Sequence, residues 1–441
     1  MNNDKNGEES LKVGMDLWKY VYRLGIALRN NNIPKNYDFL IQSQHWSIEK
    51  LKEYQLATLR KLLHHAYTNT EFYRNTFDKN KIHPNDINSL SDLNKIPPVT
   101  KDQLLENNKK IQIKESSEKL FYSETSGSTG KPLVFYRNKD WDAWHNALVF
   151  RGYSWYNVKP WERNGYLWGY NFALKSRLKT MFLDFLQNRF RLFSYKDREI
   201  DIFIEKLKNA KFLGGYSSMI YEIAKKVNQR REKPPFALKM VKGTSEKIYN
   251  KYQDETRLAF GKKMISEYGA AEAGIIAFEC PQGNMHINME TAIVEEEEKE
   301  IIVTNLVSMS FPVIRYRLGD YIELDNTTKC DCGMEHPIIK EVTGRVGKVI
   351  YGLKDIYPSL TLYYVFKNLA IEHNIVMNYQ AIQEKKGSLD VYIEDELTED
   401  KRNLLMKEFD KYFSHDLDFI IIDNTDLKSR NEKKKDFISN I

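Results

Sequence analysis

The sequence has few cysteines, no long apolar run and no strong excess of charge of one sign. Only three of its 441 residues are cysteine, which argues against a disulfide-rich secreted domain and fits a reducing compartment. No segment approaches the roughly 18 consecutive apolar residues of a membrane-spanning helix, because the nearest, residues 17–28, contains Lys19 and Arg23. The first ten residues also lack the basic and apolar regions of a secretory signal. We therefore expect a cytoplasmic protein without a transmembrane segment.

The charges are nearly balanced, since 67 lysines and arginines stand against 61 acidic residues, for a formal net charge of +6. A surplus this small gives no argument for a nucleic-acid partner, and we expect none. Apolar residues at 41% and charged residues at 29% are typical of a packed core with a soluble surface. Disordered and collagen-like classes are thereby excluded.

Apolar spacing and glycine-rich turns predict an α/β fold. From about residue 120 to 345, glycine-rich turns separate short strand-like segments from longer helix-like ones. Residues 45–75 carry leucines mostly three or four positions apart, as in a helix with one buried face. The acidic run at 295–300 is interpreted as a solvated turn between two strands.

The end of the chain predicts a separate, small α+β domain. Residues 389–393 alternate as in a half-buried strand, Thr398 can cap a following helix, and residues 419–422 form another apolar strand. Three glycines between residues 344 and 352 permit a bend. We therefore predict a large domain, residues 1–345, and a small mobile domain, residues 346–441.

The most informative motif is a glycine- and hydroxyl-rich loop, in which residues 122–133 read YSETSGSTGKPL. Its two glycines permit tight backbone turns, and its hydroxyls and Lys131 can bind phosphate oxygens. The loop is not a P-loop, because Thr125 stands where that motif requires glycine and Pro132 follows the lysine. Taken alone, such a cluster is more often an ordinary turn.

This loop nevertheless resembles the phosphate-binding signature of AMP-forming adenylating enzymes, in the version found in phenylacetate-CoA ligases and their CapK-like relatives. Three further motifs resemble other segments of the same family. SEYGAAE at residues 266–272 resembles the Tyr-Gly-x-x-Glu segment of that family. FPVIRYRLGD at residues 311–320 resembles its Arg-Tyr-Arg-x-Gly-Asp segment, and Gly344-Arg345 stands where the family has a Gly-Arg near its hinge. The four motifs occur in the family's order, and the resemblance spans roughly residues 45–441.

The resemblance implies an ATP-dependent, AMP-forming ligase with a large adenylate-forming domain and a small mobile C-terminal domain. In this family a carboxylate attacks the α-phosphate of ATP, and the acyl group then passes to CoA or another acceptor. The implied ligands are ATP, Mg²⁺, a small carboxylic acid and CoA or another nucleophile. The CapK-like branch further implies surface polysaccharide biosynthesis. The alternative is a catalytically diminished relative that serves as a nucleotide-binding scaffold.

The resemblance also assigns roles to single residues. Glu272 would help to coordinate Mg²⁺, Asp320 would accept hydrogen bonds from the ribose, and Arg345 would contact the nucleotide as the small domain moves. Any one of these residues alone is more typical of a solvated surface position. The other implied nucleotide contacts are, for the phosphates, Ser126, Gly127, Ser128, Thr129, Gly130 and Lys131 and, for the adenine side, Ser245, Glu246, Tyr268 and Gly269.

A catalytic lysine near the C-terminus is also implied, and the candidates are Lys433, Lys434 and Lys435. We favour Lys433, because the apolar residues that follow match the family's Gly-Lys segment. Glu432 stands in place of that glycine, and a lysine cluster near a terminus is also typical of a solvated tail.

All three cysteines lie in one region. Cys280, His286, Cys330 and Cys332 supply three thiolates and one imidazole, a complete set for a structural zinc ion, with His336 in reserve as a fourth ligand. The alternative is three buried free cysteines, since free cysteine is often buried.

The acyl-binding site is poorly specified by the sequence. The aromatic-rich residues 153–170 could line it or fill a core, and the basic residues that follow at 175–191 could attract an anionic acceptor or form a solvated helix face. Residues 214–218, GGYSS, resemble the family's loop beside the acyl pocket, although they could equally end a strand and cap a helix.

Overall fold

A computed structural model of the chain describes residues 4–113, 119–125, 132–167, 174–193, 197–231, 235–325, 327–344, 349–373, 375, 377, 379–425 and 437–441. The chain divides into two compact units. The first unit comprises Met1–Ser123, Phe135–Leu318 and Ile322–Val342, and the second comprises Glu124–Val134, Gly319–Tyr321 and Thr343–Ile441. The predicted domain boundary between residues 345 and 346 lies outside the described residues and stays a prediction.

Helices and strands alternate through most of the described chain. The α-helices are α1 (Asp4–Arg29), α2 (Asn32–Ser43), α3 (Ile48–Asn69), α4 (Glu71–Lys79), α5 (Lys101–Glu106), α6 (Asn108–Ile111), α7 (Lys139–Trp155), α8 (Leu174–Leu186), α9 (Asp197–Leu207), α10 (Ser217–Asn228), α11 (Asn250–Phe260), α12 (Leu360–Glu372) and α13 (Glu399–Phe413). The strands are β1 (Phe121–Glu124), β2 (Val134–Arg137), β3 (Asn164–Leu167), β4 (Arg189–Arg191), β5 (Phe212–Tyr216), β6 (Met240–Thr244), β7 (Met264–Ala270), β8 (Gly274–Glu279), β9 (Met285–Ile287), β10 (Ala292–Glu297), β11 (Glu300–Asn305), β12 (Val313–Asp325), β13 (Ile338–Gly344), β14 (Val349–Tyr351), β15 (Ile356–Pro358), β16 (Tyr379–Lys385), β17 (Ser388–Ile393), β18 (Asp418–Ile422) and β19 (Phe437–Ser439). Among the helices so described, none is both long enough and apolar enough to cross a lipid bilayer.

The helix predicted over residues 45–75 is present as two helices, α3 and α4. Ser47 begins α3, because its side chain accepts a hydrogen bond from the Lys50 backbone N–H. Thr70 then interrupts the helical path with an extended backbone and caps α4 through the Tyr73 N–H. The leucines at the predicted spacing in α3 lie on its buried face, so this interpretation is confirmed.

An eleven-stranded mixed sheet, in the order β10-β11-β12-β13-β9-β8-β7-β6-β5-β3-β4, holds the functional motifs of the first unit. Its strands β4, β3, β5, β6 and β7 are mutually parallel, and β7 to β9 are antiparallel. In sheets with parallel strands and covering helices, ligands bind at the carboxyl ends of the strands. The segments that follow β5, β6 and β7 are therefore the place to look for a site.

The turn predicted between two strands is present within the acidic run at 295–300, but it is shorter than predicted, because four of the six residues belong to the strands. β10 and β11 form an antiparallel hairpin in which Glu297 lies opposite Glu300. Only Glu298 and Lys299 form the turn, and both have positive φ angles, 54° and 67°. A two-residue turn of this kind matches the twist of the strands, which is why the strands can continue through the acidic residues.

The second unit contains a four-stranded sheet in the order β18-β17-β16-β19, together with α12 and α13. The Thr398 side chain accepts a hydrogen bond from the Lys401 N–H and begins α13, as predicted. Leu389, Val391 and Ile393 of β17 are fully buried in an apolar core. The strand, helix and strand predicted for this part of the chain are thus confirmed.

Candidate active site and metal centre

The predicted phosphate loop begins and ends on a pair of hydrogen-bonded residues. Thr125 N–H donates to the Leu133 carbonyl oxygen at 3.1 Å, and Leu133 N–H donates to Thr125 Oγ1 at 2.9 Å. Residues 126–131, including Lys131, lie outside the described residues, as do Arg345 and Lys433. The Thr125 hydroxyl oxygen therefore helps to close the base of the loop, and the roles of the other residues stay predictions.

Glu272 lies in the tight connection between β7 and β8 and is almost completely buried, at 3% exposure. The Tyr316 hydroxyl donates a hydrogen bond to Glu272 Oε1 at 2.8 Å. The Asn305 side chain donates to the Glu272 carbonyl oxygen at 3.2 Å and fixes the backbone. Two of the motifs found in the sequence therefore meet at one carboxylate, and Tyr316 is a residue of this site that the sequence analysis did not single out.

Gly269 is required by the same connection. The pairing of β7 with β8 shifts register between Tyr268 and Gly269, as in a β-bulge. A Cβ atom on Gly269 would lie 2.3 Å from the Gly274 carbonyl oxygen, which is far inside van der Waals contact. The glycine of the Tyr-Gly pair thus permits the close approach of the two strands, while Tyr268 stays partly exposed beside it.

The two arginines of the Arg-Tyr-Arg motif bind the acidic hairpin. Arg315 Nε donates to Glu295 at 3.1 Å, and Arg317 donates to Glu300 at 2.8 Å. Arg315 has a φ of 47° and also donates to the Ile96 carbonyl oxygen at 2.6 Å. These arginines therefore hold β12 beside β10 and β11, so that Tyr316 between them reaches Glu272.

Asp320 follows Gly319, whose φ of 82° bends β12. Asp320 is partly exposed and belongs to the second unit, which also contains the flanks of the phosphate loop. The predicted role of Asp320 as a hydrogen-bond acceptor for the ribose stays a prediction.

The predicted adenine-side loop follows β6. Ser245 is exposed and has a φ of 66°. Glu246 Oε2 accepts a hydrogen bond from Ser218 N–H at 2.8 Å, at the start of α10, and Ser217 Oγ donates to the Glu246 carbonyl oxygen at 3.2 Å. Burial raises the pKa of Glu246 to about 7. Glu246 therefore joins this loop to the GGYSS segment, a structural contact beside any contact to a nucleotide.

The structure brings the four predicted metal ligands together. The ligand atoms of Cys280, His286, Cys330 and Cys332 all lie within 4.8 Å of one another. The Cys280 and Cys330 sulfurs are 3.7 Å apart, and Cys332 Sγ is 3.2 Å from His286 Nε2. His286 Nδ1 donates to the His336 carbonyl oxygen at 3.0 Å, which leaves Nε2 free to act as a ligand.

His336, the reserve ligand, does not belong to this cluster. Its Nε2 lies 3.3 Å from Glu290 Oε1, away from the sulfurs. Its contribution is the backbone carbonyl that orients His286. The set of four chosen from the sequence is therefore the one that the fold assembles.

A fully buried ion pair, which the sequence analysis missed, lies next to the segment that carries His286. Arg151 on α7 donates to Glu290 Oε1 at 2.7 Å and to Asn288 Oδ1 at 2.6 Å. The Ser43 hydroxyl on α2 also donates to Glu290 Oε1, at 2.6 Å. The Arg151 and Glu290 side chains are 2% and 0% exposed. This network joins α2 and α7 to the segment that carries His286.

No family model matches the chain, but individual proteins and solved structures are similar to it. It is 24% identical to Protein CapK of Staphylococcus aureus over 381 residues, which are 81% of each chain. It is 37% identical to the phenylacetate-coenzyme A ligase of Escherichia coli over 105 residues, 23% of this chain and 24% of that enzyme. These matches confirm the resemblance predicted from the motifs.

The fold is that of solved acyl-CoA ligase structures. The structure of 2-hydroxyisobutyryl-CoA ligase in complex with 2-HIB-AMP and CoA, in its thioesterification state, matches with a TM-score of 0.65 at 16% identity and covers 90% of this chain and 91% of that one. The open conformation of the same ligase matches with a TM-score of 0.59 at 15% identity. The predicted α/β fold class is confirmed by this likeness.

Proposed function

We propose that this chain, a homologue of Protein CapK with the fold of an acyl-CoA ligase, is an ATP-dependent, AMP-forming ligase that adenylates a carboxylic acid. The observation that carries the proposal is the buried Glu272 carboxylate. It accepts a hydrogen bond from Tyr316, which lies 44 positions along the chain in a second motif of the same family. The contact joins two of the predicted motifs at one buried carboxylate, and this supports a site built from both.

Each residue of the site has a task in this reaction. Mg²⁺, when bound, neutralises charge on the triphosphate and on the pyrophosphate that leaves. Glu272 fits a role as its ligand, because carboxylate oxygens are preferred by Mg²⁺ and the Tyr316 hydroxyl fixes the orientation of Oε1. Asp320 would accept hydrogen bonds from the ribose, and Tyr268 would pack against adenine. The phosphate loop at 126–131, Arg345 and Lys433 would complete the contacts to the nucleotide and the reacting carboxylate.

The second half-reaction would transfer the acyl group to CoA or to another nucleophile. The chain is similar to Protein CapK over 81% of both chains, and we include in the proposal the role in surface polysaccharide biosynthesis that the resemblance to the CapK-like branch implies. ATP and CoA are both cytoplasmic metabolites, and we propose that the protein acts in that compartment.

We expect the protein to catalyse exchange of labelled pyrophosphate into ATP only when a suitable carboxylic acid is present. Such exchange reports reversible formation of the acyl-adenylate before any acceptor is needed. The measurement is the initial rate of exchange across aryl, fatty, amino and uronic acids, followed by a screen of acceptors with the best acid. Binding of ATP without exchange on any acid would instead identify a nucleotide-binding scaffold.

We also propose that Cys280, His286, Cys330 and Cys332 bind a structural Zn²⁺ ion. In a tetrahedral site with Zn–S bonds of about 2.3 Å, two sulfurs lie about 3.8 Å apart. The separation of the Cys280 and Cys330 sulfurs, 3.7 Å, matches this edge. Burial lowers the pKa of His286 to about 4, so the imidazole is neutral at pH 7 and able to act as a ligand. Four protein ligands leave no open position, so the ion would stabilise the fold without taking part in chemistry.

Metal analysis of protein purified without chelators should find about one zinc ion per chain. Cys332→Ser should lose most of it and lower the midpoint of thermal unfolding, as should a strong chelator applied to the wild type. His373→Asn is the matched control, because His373 belongs to a second cluster with Glu372 and Glu408, whose carboxylates already lie beside Lys411. Zinc well below one equivalent in the wild type, or zinc retained in Cys332→Ser, would contradict the assignment.

A further inference from the structure

A buried ion pair that joins the middle of β6 to the middle of β7 is not used by the nucleotide contacts described above. Lys242 Nζ lies 2.6 Å from Glu267 Oε2, and the two side chains are only 9% and 12% exposed. Central parallel strands are ordinarily apolar in these positions. A buried ion pair seldom adds net stability over apolar side chains, so its presence calls for a reason other than packing.

The sheet leaves space beside this pair. Tyr166 on β3, Gly214 on β5 and Lys242 on β6 are neighbours in register, so they lie on the same face of the sheet. Gly214 has no side chain, and a Cβ atom there would still lie 3.8 Å from Lys242 Cε. A notch one side chain wide therefore separates Tyr166 from Lys242.

The apolar part of the same face ends where the notch begins. Met240, two residues before Lys242, packs in an apolar cluster with Phe212 and Phe278. Toward the carboxyl end of the strands, the face changes from apolar to charged within these two residues. This is the end at which sheets of this type bind ligands.

Helix α7 supplies polar groups on the other side of the notch. The centroid of the Tyr153 ring lies 5.5 Å from Lys242 Nζ. His145 lies two helical turns before Tyr153, and its Nδ1 is buried without a hydrogen-bond partner among the described residues. Burial, aided by the charge of Arg137, lowers the pKa of His145 to about 4, while Glu267 and Lys242 also act on it electrostatically. His145 and Tyr153 nevertheless keep part of their surface accessible, as side chains that line a recess do.

These five residues, Tyr166, His145, Tyr153, Lys242 and Glu267, define a polar recess that offers an ammonium donor, a carboxylate acceptor, two phenol groups and a neutral imidazole. Lys242 and Glu267 neutralise each other, so the pair favours neither a second carboxylate nor an amine in a ligand. A hydroxyl group both donates and accepts hydrogen bonds, and it therefore satisfies this set. An alkyl or aryl group would instead leave His145 Nδ1 without a hydrogen-bond partner and would add no hydrogen bond to the Lys242–Glu267 pair.

We propose that the polar recess receives the acyl part of the substrate and that Lys242 and Glu267 select a hydroxylated carboxylic acid over alkyl and aryl acids. The inference rests on the proposed adenylation reaction. Lys242 lies within β6, three residues before Ser245 of the adenine-side loop, and Glu267 directly precedes Tyr268. A carboxylate bound at the α-phosphate would therefore have its substituents next to these two side chains.

The test compares pyrophosphate exchange for matched acids that differ only in hydroxyl groups: 3-hydroxybutyrate with butyrate, mandelate with phenylacetate, and gluconate with hexanoate. Among the three hydroxylated acids, the one with the highest kcat/KM should exceed its deoxy partner by at least about tenfold. The reason is that a site built to bind hydroxyl groups rejects analogues that lack them. Glutarate is included because Arg137 near His145 could favour a second carboxylate.

Two variants separate selection from structure. Lys242→Met combined with Glu267→Leu should abolish the preference, so that kcat/KM for the hydroxylated acid is no higher than kcat/KM for its deoxy partner. The KM for ATP should stay unchanged. The matched control, Lys239→Met with Glu162→Gln, removes an ion pair of 2.7 Å just before β6 and should keep the wild-type ratio. If the first double variant does not fold, Gly214→Ala fills the notch at ordinary contact distance and should raise the KM for the acid alone.

The outcomes distinguish this inference from the proposed function. Exchange that is as fast with the deoxy acids as with the hydroxylated ones, or fastest with glutarate, overturns the inference and leaves the ligase proposal intact. An unchanged acid preference in the Lys242/Glu267 double variant, or an unchanged KM for the acid in Gly214→Ala, overturns it as well. Absence of exchange with every acid overturns both.

Discussion

We expect Arg151→Met to lower the free energy of unfolding of the first unit by about 3–5 kcal/mol, because it leaves the Glu290 carboxylate buried without its cationic partner. The Glu290 side chain is 0% exposed, and Arg151 donates to its Oε1 at 2.7 Å. Burial alone would raise the pKa of Glu290, but Arg151 and His336 hold that pKa well below its usual range. The measurement is urea denaturation followed by tryptophan fluorescence. All seven tryptophans lie in the first unit, so the signal reports on that unit.

Two controls make this result specific. Arg151→Met combined with Glu290→Gln removes both charges and should recover a large part of the lost stability, since replacing both partners is far less costly than removing one. Lys340→Met removes an ion pair with Glu323 in which both side chains are more than half exposed, and it should leave the unfolding midpoint unchanged. A midpoint for Arg151→Met equal to that of the wild type would show that the buried pair does not stabilise the first unit.

The parts of the fold that depend on local sequence could be predicted. The leucine spacing of α3 and the Thr398 cap of α13 act within a few residues of the chain, and both are confirmed. The short length of the acidic turn was not predictable by the same means. This turn places Glu298 and Lys299 at positive φ without the glycine or asparagine that usually marks such a turn.

Contacts between distant parts of the chain were predictable only where a chemical rule limits the partners. Three cysteines and a histidine can form one metal site, and so Cys280 and Cys330 could be grouped although they are 50 positions apart. No such rule joins Arg151 to Glu290, which are 139 positions apart, or Lys242 to Glu267. Any arginine or lysine can pair with any carboxylate. The packing of α7 determines the partner of Arg151, and the pairing of β6 with β7 determines the partner of Lys242.

The proposed nucleotide site lies between these two cases. The motifs predict a role for Glu272 from a pattern of residues, but the pattern contains no information about what orients the carboxylate. The structure assigns that task to Tyr316, the tyrosine between the two arginines of a different motif. Because Arg315 and Arg317 are both bound to the acidic hairpin, the position of Tyr316 depends on a contact far from the nucleotide site in sequence.

Glu272→Gln should lower the rate of pyrophosphate exchange by on the order of 100-fold, the effect typical of losing one electrostatic contact to a reacting phosphate group. The substitution keeps the shape of the side chain and an oxygen that can still accept a hydrogen bond from the Tyr316 hydroxyl. The midpoint of thermal unfolding should therefore change little. It removes the negative charge, and the Mg²⁺ concentration needed for half-maximal exchange should therefore rise. The measurement is a Mg²⁺ titration of the exchange rate at saturating ATP and acid.

Tyr316→Phe is the matched variant, since it keeps the charge of Glu272 and removes only the hydrogen bond that orients it. A positioning role predicts a loss in exchange rate of about tenfold, smaller than that of Glu272→Gln, with a Mg²⁺ requirement close to that of the wild type. If Glu272 were only a structural residue, both variants would lower the thermal midpoint and the exchange rate together. Glu272→Gln could instead keep an exchange rate within threefold of the wild type at an unchanged Mg²⁺ requirement. That result would show that Glu272 is not part of the proposed site, and the ligase proposal would lose the observation on which it rests.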